Sequence, residues 1–166
     1  MAHIQGEIAI GRPVEEVFDF VADERNEPRY NPSMIRADKT SPGPIGTGTR
    51  YRAQSVARGR PVEMTIETTE YDRPRRLASS TSLAMMNVHG ALTFDPVQDG
   101  TLMHWSWDLE PRGLLKLMTP LIALQGRRQE KEVWTGLKHL LESGRASAGP
   151  SGEGAVATER PPDPTQ

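Results

Sequence analysis

The chain opens on a strict alternation. Ile4, Gly6, Ile8 and Ile10 share one parity, and His3, Gln5, Glu7 and Ala9 the other. Successive strand side chains leave opposite faces, so this period predicts a strand with one buried face. Gly11-Arg12-Pro13 breaks it. Pro13 suits the first position of a helix, and Glu15 and Glu16 suit its positive N-terminal end. Val14, Val17, Phe18 and Val21 then recur at helical spacing, which predicts a short helix to about Ala22. From Asp23 to Pro32 two prolines and two asparagines surround Arg29-Tyr30, and the stretch reads as a loop or a one-turn helix anchored by Tyr30.

A run of strands follows. Met34 to Thr40 is closed by Ser41-Pro42-Gly43-Pro44, a strong breaker. Thr47 to Val56 alternates around Thr49, Tyr51 and Ala53, and Arg58-Gly59-Arg60-Pro61 makes the next turn. Val62, Met64, Ile66 and Thr68 give the clearest alternation, ending near Asp72-Arg73-Pro74, and Leu77 to Leu83 follows as a Ser/Thr-rich strand. Asp99-Gly100 is a hairpin signal. With those two residues as the turn, Phe94 faces Trp105, Leu92 faces Trp107 and Gly90 faces Leu109, while Asp95 opposes His104 and Thr93 opposes Ser106 on the reverse face. Pro96 stands close to that turn and leaves room for a wider loop.

After Pro111-Arg112-Gly113 the period becomes helical. Thr119-Pro120 is predicted as an N-cap followed by proline at the first helical position. Leu121, Leu124, Val133, Leu137, Leu140 and Leu141 fall on or near one face, although Gln125 to Glu132 is polar all round, and the helix is expected to end near Ser143-Gly144. Antiparallel strands bracketed by helices make an α+β domain, and a curved sheet wrapped on one long helix buries both.

Composition narrows the picture. Of 166 residues 36% are hydrophobic, and part of that low share lies at the end, where Val156 is the only large apolar side chain after Gly144. Residues 1–143 are therefore expected to fold as one domain, and 144–166 to form a disordered Gly/Pro/Ser-rich tail that cannot bury enough surface to offset its ordering entropy. The formal net charge is −2 with acids and bases mixed, which argues against nucleic acid as a partner. The basic clusters Arg73-x-Arg75-Arg76 and Arg127-Arg128 read as solvated surface. There is no cysteine, hence no disulfide and no thiolate metal site. The N-terminus lacks the pattern of a secretory signal, and the apolar stretch from Gly113 to Gly126 is too short and too interrupted to span a bilayer, so a cytoplasmic protein without stable membrane insertion is expected, as monomer or homodimer.

Several short motifs, in this order and spacing, resemble the START-like or helix-grip superfamily, and within it the bacterial polyketide cyclase/dehydrase and lipid-transport branch. They are Ile8-x-Ile10-x-x-Pro13-x-x-x-Val17-Phe18 with Asp23 and Tyr30-Asn31-Pro32; Gly46-x-Gly48-Thr49-x-Tyr51; Tyr71-x-x-Pro74-x-Arg76-Leu77; Gly100-Thr101; and Leu137-Lys138-x-x-Leu141-Glu142. Together they cover about Ile4 to Ser143. The resemblance implies a helix-grip fold of about seven strands around a long C-terminal helix, enclosing a deep and mostly apolar cavity. It implies no universal catalytic motif, so it carries over a pocket and not a reaction.

The inward face predicted from the alternation holds Tyr51, Met64, Ile66, Met86, Val88, Gly90, Leu92, Phe94, Met103, Trp105, Trp107 and Leu109, opposite Met118, Ile122 and Gln125 of the helix. Seven methionines beside Trp105 and Trp107 suit an adaptable apolar pocket, although an ordinary core has the same composition. Polar groups able to orient a ligand at the cavity wall or mouth are Tyr30, Tyr51, Gln125 and Arg128. His3 and His139 read as exposed, and His89 and His104 fall on the outer sheet face, where His104 with Asp95 or Asp108 reads as a surface pair rather than a catalytic dyad. No metal cluster, nucleophile elbow or phosphate loop is present, and neither metal nor cofactor is expected.

Binding or transport of a small hydrophobic or aromatic molecule, lipid- or polyketide-like, is the leading expectation. The alternative is a polyketide cyclase or dehydratase acting in the same cavity without metal or cofactor, with Tyr51 or Arg128 orienting the substrate. A partner-binding module using the sheet's outer face is a third class. The polar residues predicted there (His89, Thr93, His104, Ser106) offer it no apolar patch. The stretch Leu114 to Leu124 reads as helix core, with contact to a membrane as the second reading.

Overall fold

The computed structural model describes residues 1–144. The tail expected beyond Gly144 lies outside the described residues. Strand β1 (Ala2–Ile10) leads into helix α1 (Val14–Ala22) and a 3-10 helix, η1 (Glu24–Arg29). Six strands follow: β2 (Met34–Lys39), β3 (Arg50–Ala57), β4 (Arg60–Asp72), β5 (Arg76–Leu83), β6 (Met86–Val97) and β7 (Gly100–Pro111). A second 3-10 helix, η2 (Gly113–Met118), precedes the 24-residue helix α2 (Thr119–Glu142). The strands form one antiparallel sheet in the order β1-β7-β6-β5-β4-β3-β2, curved around α2 in the helix-grip arrangement.

The alternation in β1 marks its buried face: Ile4 and Ile10 are buried, while His3, Gln5, Glu7 and Ala9 are exposed. Val14, Val17, Phe18, Val21 and Ala22 are the buried residues of α1, which Pro13 precedes as N-cap. The segment left open between loop and helix is η1, whose first turn is capped by the Asp23 carboxylate accepting from Arg25 N–H at 3.1 Å. Its end is Tyr30, buried at 7% exposure and stacked 6.1 Å from Trp134.

The final hairpin departs from expectation by two residues. Gln98 and Asp99 form the turn, Val97 opposes Gly100, and Phe94 faces Met103, Leu92 faces Trp105 and Gly90 faces Trp107. Gly100 is needed for another reason: it has φ 146°, and a Cβ there would collide with the Ile10 carbonyl where β7 starts against the end of β1. A shift of two preserves parity, so the inward and outward faces of both strands stay as predicted. Gly90 carries the closest approach in this hairpin, since a Cβ would run into the Ser106 carbonyl and the Trp107 ring.

Helix α2 divides in two. Its buried residues are Val133, Trp134, Leu137 and Leu141, all in the second half, packed with Phe18, Phe94, Met103 and Trp105 in the main core. Leu121 and Leu124, predicted for that face, are instead 52% and 59% exposed. Thr119 is inside the helix rather than its cap, and its hydroxyl donates to Lys116 O at 2.6 Å. Leu121 and Leu124 are turned away from the sheet, whereas Ile122 and Ala123 pack against Ala2, Ile4 and Leu109 of β1 and β7, and space remains between the helix and the inner faces of β4–β6.

Candidate functional site

That space is a cavity of about 520 Å³, within the range usual for small-molecule sites. Its walls come from the inner faces of β4, β5 and β6 through Met64, Ile66, Leu77, Leu83, Met86, Val88 and Leu92, with Trp107 and Leu109 of β7 and Ile4 of β1. Ile122, Gln125, Gly126, Gln129, Glu130, Val133 and Trp134 of α2 form the roof, and Glu24, Glu27, Tyr30 and Asn31 the side next to η1. Exposed Val56, Ala57 and Arg58 of the β3–β4 turn, with exposed Gln125 and Gln129, stand at the rim. Gly126 keeps helix and sheet close: a Cβ there would lie 3.3 Å from Ile4 Cδ1.

The polar chemistry centres on Glu130. Trp107 Nε1–H donates to its Oε2 at 2.9 Å, and Trp134 Nε1–H donates to the same oxygen at 2.8 Å. Burial pushes this carboxyl up to about 7 against the two indole hydrogen bonds, and the charge of Glu27 adds to the rise. Glu24 and Glu27 share the same wall. Burial raises Glu24 well above the ordinary carboxylate range, helped by the neighbouring charge of Glu27. Burial also raises Glu27, opposed by the Asn31 amide, which donates to its Oε1 at 2.7 Å. Both are partly accessible because the cavity reaches them, yet protein surrounds that surface. Tyr30 is raised well above the usual phenol range by burial and by Glu27, Glu24 and Glu130. Three carboxyls facing one low-dielectric space are each pushed by burial toward the protonated form.

Of the residues singled out from the sequence, Tyr30, Met64, Ile66, Met86, Val88, Leu92, Trp107, Ile122 and Gln125 line the cavity. Tyr51, Trp105, Met118 and Arg128 do not. Tyr51 is fully buried in a separate cluster under β2–β4, where its hydroxyl donates to Ala22 O at 3.3 Å and burial holds its pKa well above the usual value. Trp105 packs into the main core, 6.1 Å from Trp134. Met118 is at the exposed junction of η2 and α2, Arg128 is an exposed residue of α2, and neither is part of the cavity lining. Tyr51 and Arg128, expected at the cavity wall or mouth, are thus not among the residues that line it.

On the outer sheet face His104 lies 3.2 Å from Glu7 and 3.4 Å from Asp95, and His89 3.7 Å from Glu110, all in exposed pairs. His3 pairs with Asp108 at 2.9 Å. The basic cluster after β4 is likewise ion-paired at the surface, Arg73 with Asp19, Arg75 with Asp72 and Arg76 with Glu70.

Glu24, Glu27, Glu130 and Trp134 escaped the sequence reading. For Glu130 and Trp134 a signal exists: Ile122, Gly126, Glu130, Val133, Trp134, Leu137 and Leu141 recur at three- and four-residue steps. A carboxylate inside an apolar stripe is the mark of a functional position. Glu24 and Glu27 lie in a segment without periodicity, and only the fold turns them inward.

Comparison with solved structures supports the architecture. A Thermus thermophilus protein is 19% identical, with a TM-score of 0.75 over 86% of this chain and 99% of its own. The Zhui aromatase/cyclase from Streptomyces sp. R1128 is 13% identical, with a TM-score of 0.76 over 89% and 98%. A START superfamily protein from Mycobacterium smegmatis is 12% identical, with a TM-score of 0.72 over 85% and 97%. No curated protein matches the chain. The family model described as polyketide cyclase / dehydrase and lipid transport matches residues 1–142, and with the helix-grip fold in place the chain belongs to that family.

Proposed function

We propose that the protein binds or carries a small hydrophobic or aromatic molecule in the cavity beneath α2, with the ligand's polar end against Glu130. The observation that carries this reading is the combination of about 520 Å³ of space between mostly apolar walls with one carboxylate held by two indoles. The apolar body of a ligand gains burial against Met64, Ile66, Val88 and Leu92. A hydroxyl or amine at its end can donate to the carboxyls of Glu130, Glu24 and Glu27. The methionines, Met64 and Met86, adapt the wall to varied shapes.

Titration with N-phenyl-1-naphthylamine, a neutral aromatic probe, tests the reading through probe and tryptophan fluorescence. Trp107→Ala is expected to weaken binding about tenfold and Met64→Ala severalfold, each with the fold retained by circular dichroism. Unchanged affinity in both variants counts against the cavity as the binding site.

The second reading is a cyclase or dehydratase. It is favoured by a cavity-lining carboxyl that titrates near neutrality, since Glu130 at about 7 suits proton transfer to and from a bound polyketone. Turnover of a poly-keto substrate that falls at least tenfold in Glu130→Gln, with probe binding intact, supports this reading over simple carriage.

A further inference from the structure

The leucines around the start of α2 have no place in the core. Leu114 and Leu117 are each 82% exposed, Leu121 52%, Leu124 59% and Met118 41%. Gly113, at φ 57°, turns the chain out of β7 into η2, and Arg112 N–H donates to Met85 O at 2.9 Å, which sets half-exposed Met85 beside that start. At 100° per residue, Leu121 and Leu124 fall on the side of α2 away from Ile122 and Gly126, which face the cavity. A contiguous set of protruding aliphatic side chains is uncommon on a surface that meets only water.

Along this segment the charge has one sign. From Pro111 to Gln129 the chain contains no Asp or Glu and carries Arg112, Lys116, Arg127 and Arg128, although the whole chain has a net charge of −2. Arg128 continues the side of Leu121 and Leu124 one turn further on. A second copy of the chain would set like charges against one another. Apolar side chains edged by bases complement a surface that offers anionic groups above hydrocarbon.

We propose that η2 and the first turns of α2 form a docking surface for an anionic lipid bilayer. The ridge is on the outer side of the helix, so docking is separate from occupancy of the cavity.

Co-sedimentation of the full chain with vesicles tests the proposal. Vesicles of phosphatidylglycerol and phosphatidylcholine are expected to bind it at least tenfold more tightly than phosphatidylcholine alone, with binding weakened by salt. Leu117→Glu/Leu121→Glu is expected to abolish binding while leaving thermal unfolding and N-phenyl-1-naphthylamine affinity as in the parent. Lys116→Gln/Arg128→Gln is expected to weaken it by about fivefold for each base removed. Absence of binding to the anionic vesicles overturns the proposal, as does binding that survives the double glutamate variant. A dimer in sedimentation that this variant dissolves, without vesicle binding by the parent, assigns the ridge to a second copy instead. Because probe affinity is read on the same variants, failure of the docking surface is distinguished from failure of the cavity reading.

Discussion

Replacing Glu130 by Gln keeps an oxygen acceptor for both indole N–H groups and removes the titration, so the variant isolates the effect of burying this carboxyl. The folded protein holds the Glu130 proton up to about pH 7, whereas the ordinary value for the side chain is 4.5. Between those values the native state binds a proton that the unfolded chain has released, so stability falls as pH rises through the window. Below 4.5 both states are protonated and above 7 both are ionised, so the contribution is flat on either side. The gap of about 2.5 pH units, at 1.36 kcal/mol each, is about 3 kcal/mol. For a domain of this size that is on the order of 10 °C in Tm. Glu24 and Glu27 act in the same direction and remain in the variant, so their own burial is common to both proteins, while the charge of Glu27, which adds to the rise of Glu130, is part of the effect measured. Urea unfolding of both proteins from below pH 4.5 to above pH 7 is the assay. The difference curve is expected to move in favour of Glu130→Gln across the window and to level off at either end. Parallel pH profiles for the two proteins would refute the claim that burial holds a proton on Glu130.

Two substitutions test the close approaches that shape the cavity. Gly90→Ala drives a methyl into the Ser106 carbonyl and the Trp107 ring, both part of the rigid β6–β7 hairpin. A loss of about 2–4 kcal/mol in urea unfolding is expected, and a neutral result would show that the hairpin yields. Gly126→Ala places a methyl 3.3 Å from Ile4 Cδ1, the movable end of a side chain, and removes the helix penalty of glycine. A gain of up to about 1 kcal/mol is expected by the same assay, and a loss would show that Ile4 cannot give way.

Wherever burial follows a local period, the chain alone was enough. The parity of Ile4, Ile8 and Ile10, the helical spacing of Val14, Val17, Phe18 and Val21, and the inward set Leu92, Phe94, Met103, Trp105 and Trp107 were all legible in the order of residues. The structure keeps each on its face. A two-residue error in the last hairpin did no harm to those faces, because strand periodicity is two. The short motifs added the family and with it the existence of a cavity.

Which inward residues meet that cavity was not written in the period. Tyr51, Trp105 and Trp107 have the same inward parity, yet Tyr51 and Trp105 pack against solid protein and Trp107 meets open space. Leu121 and Leu124 carry the same apolar signal as Leu137 and Leu141, and only the way α2 is turned on the sheet, with Ile122 and Gly126 inward, leaves them in water. The acidic wall was hidden for the same reason. A carboxylate in sequence reads as surface, and Glu24, Glu27 and Glu130 become a site only where η1, β7 and α2 converge. Periodicity reports which face of an element is turned inward. What that face meets is decided by how elements distant in sequence pack, and no local pattern records it.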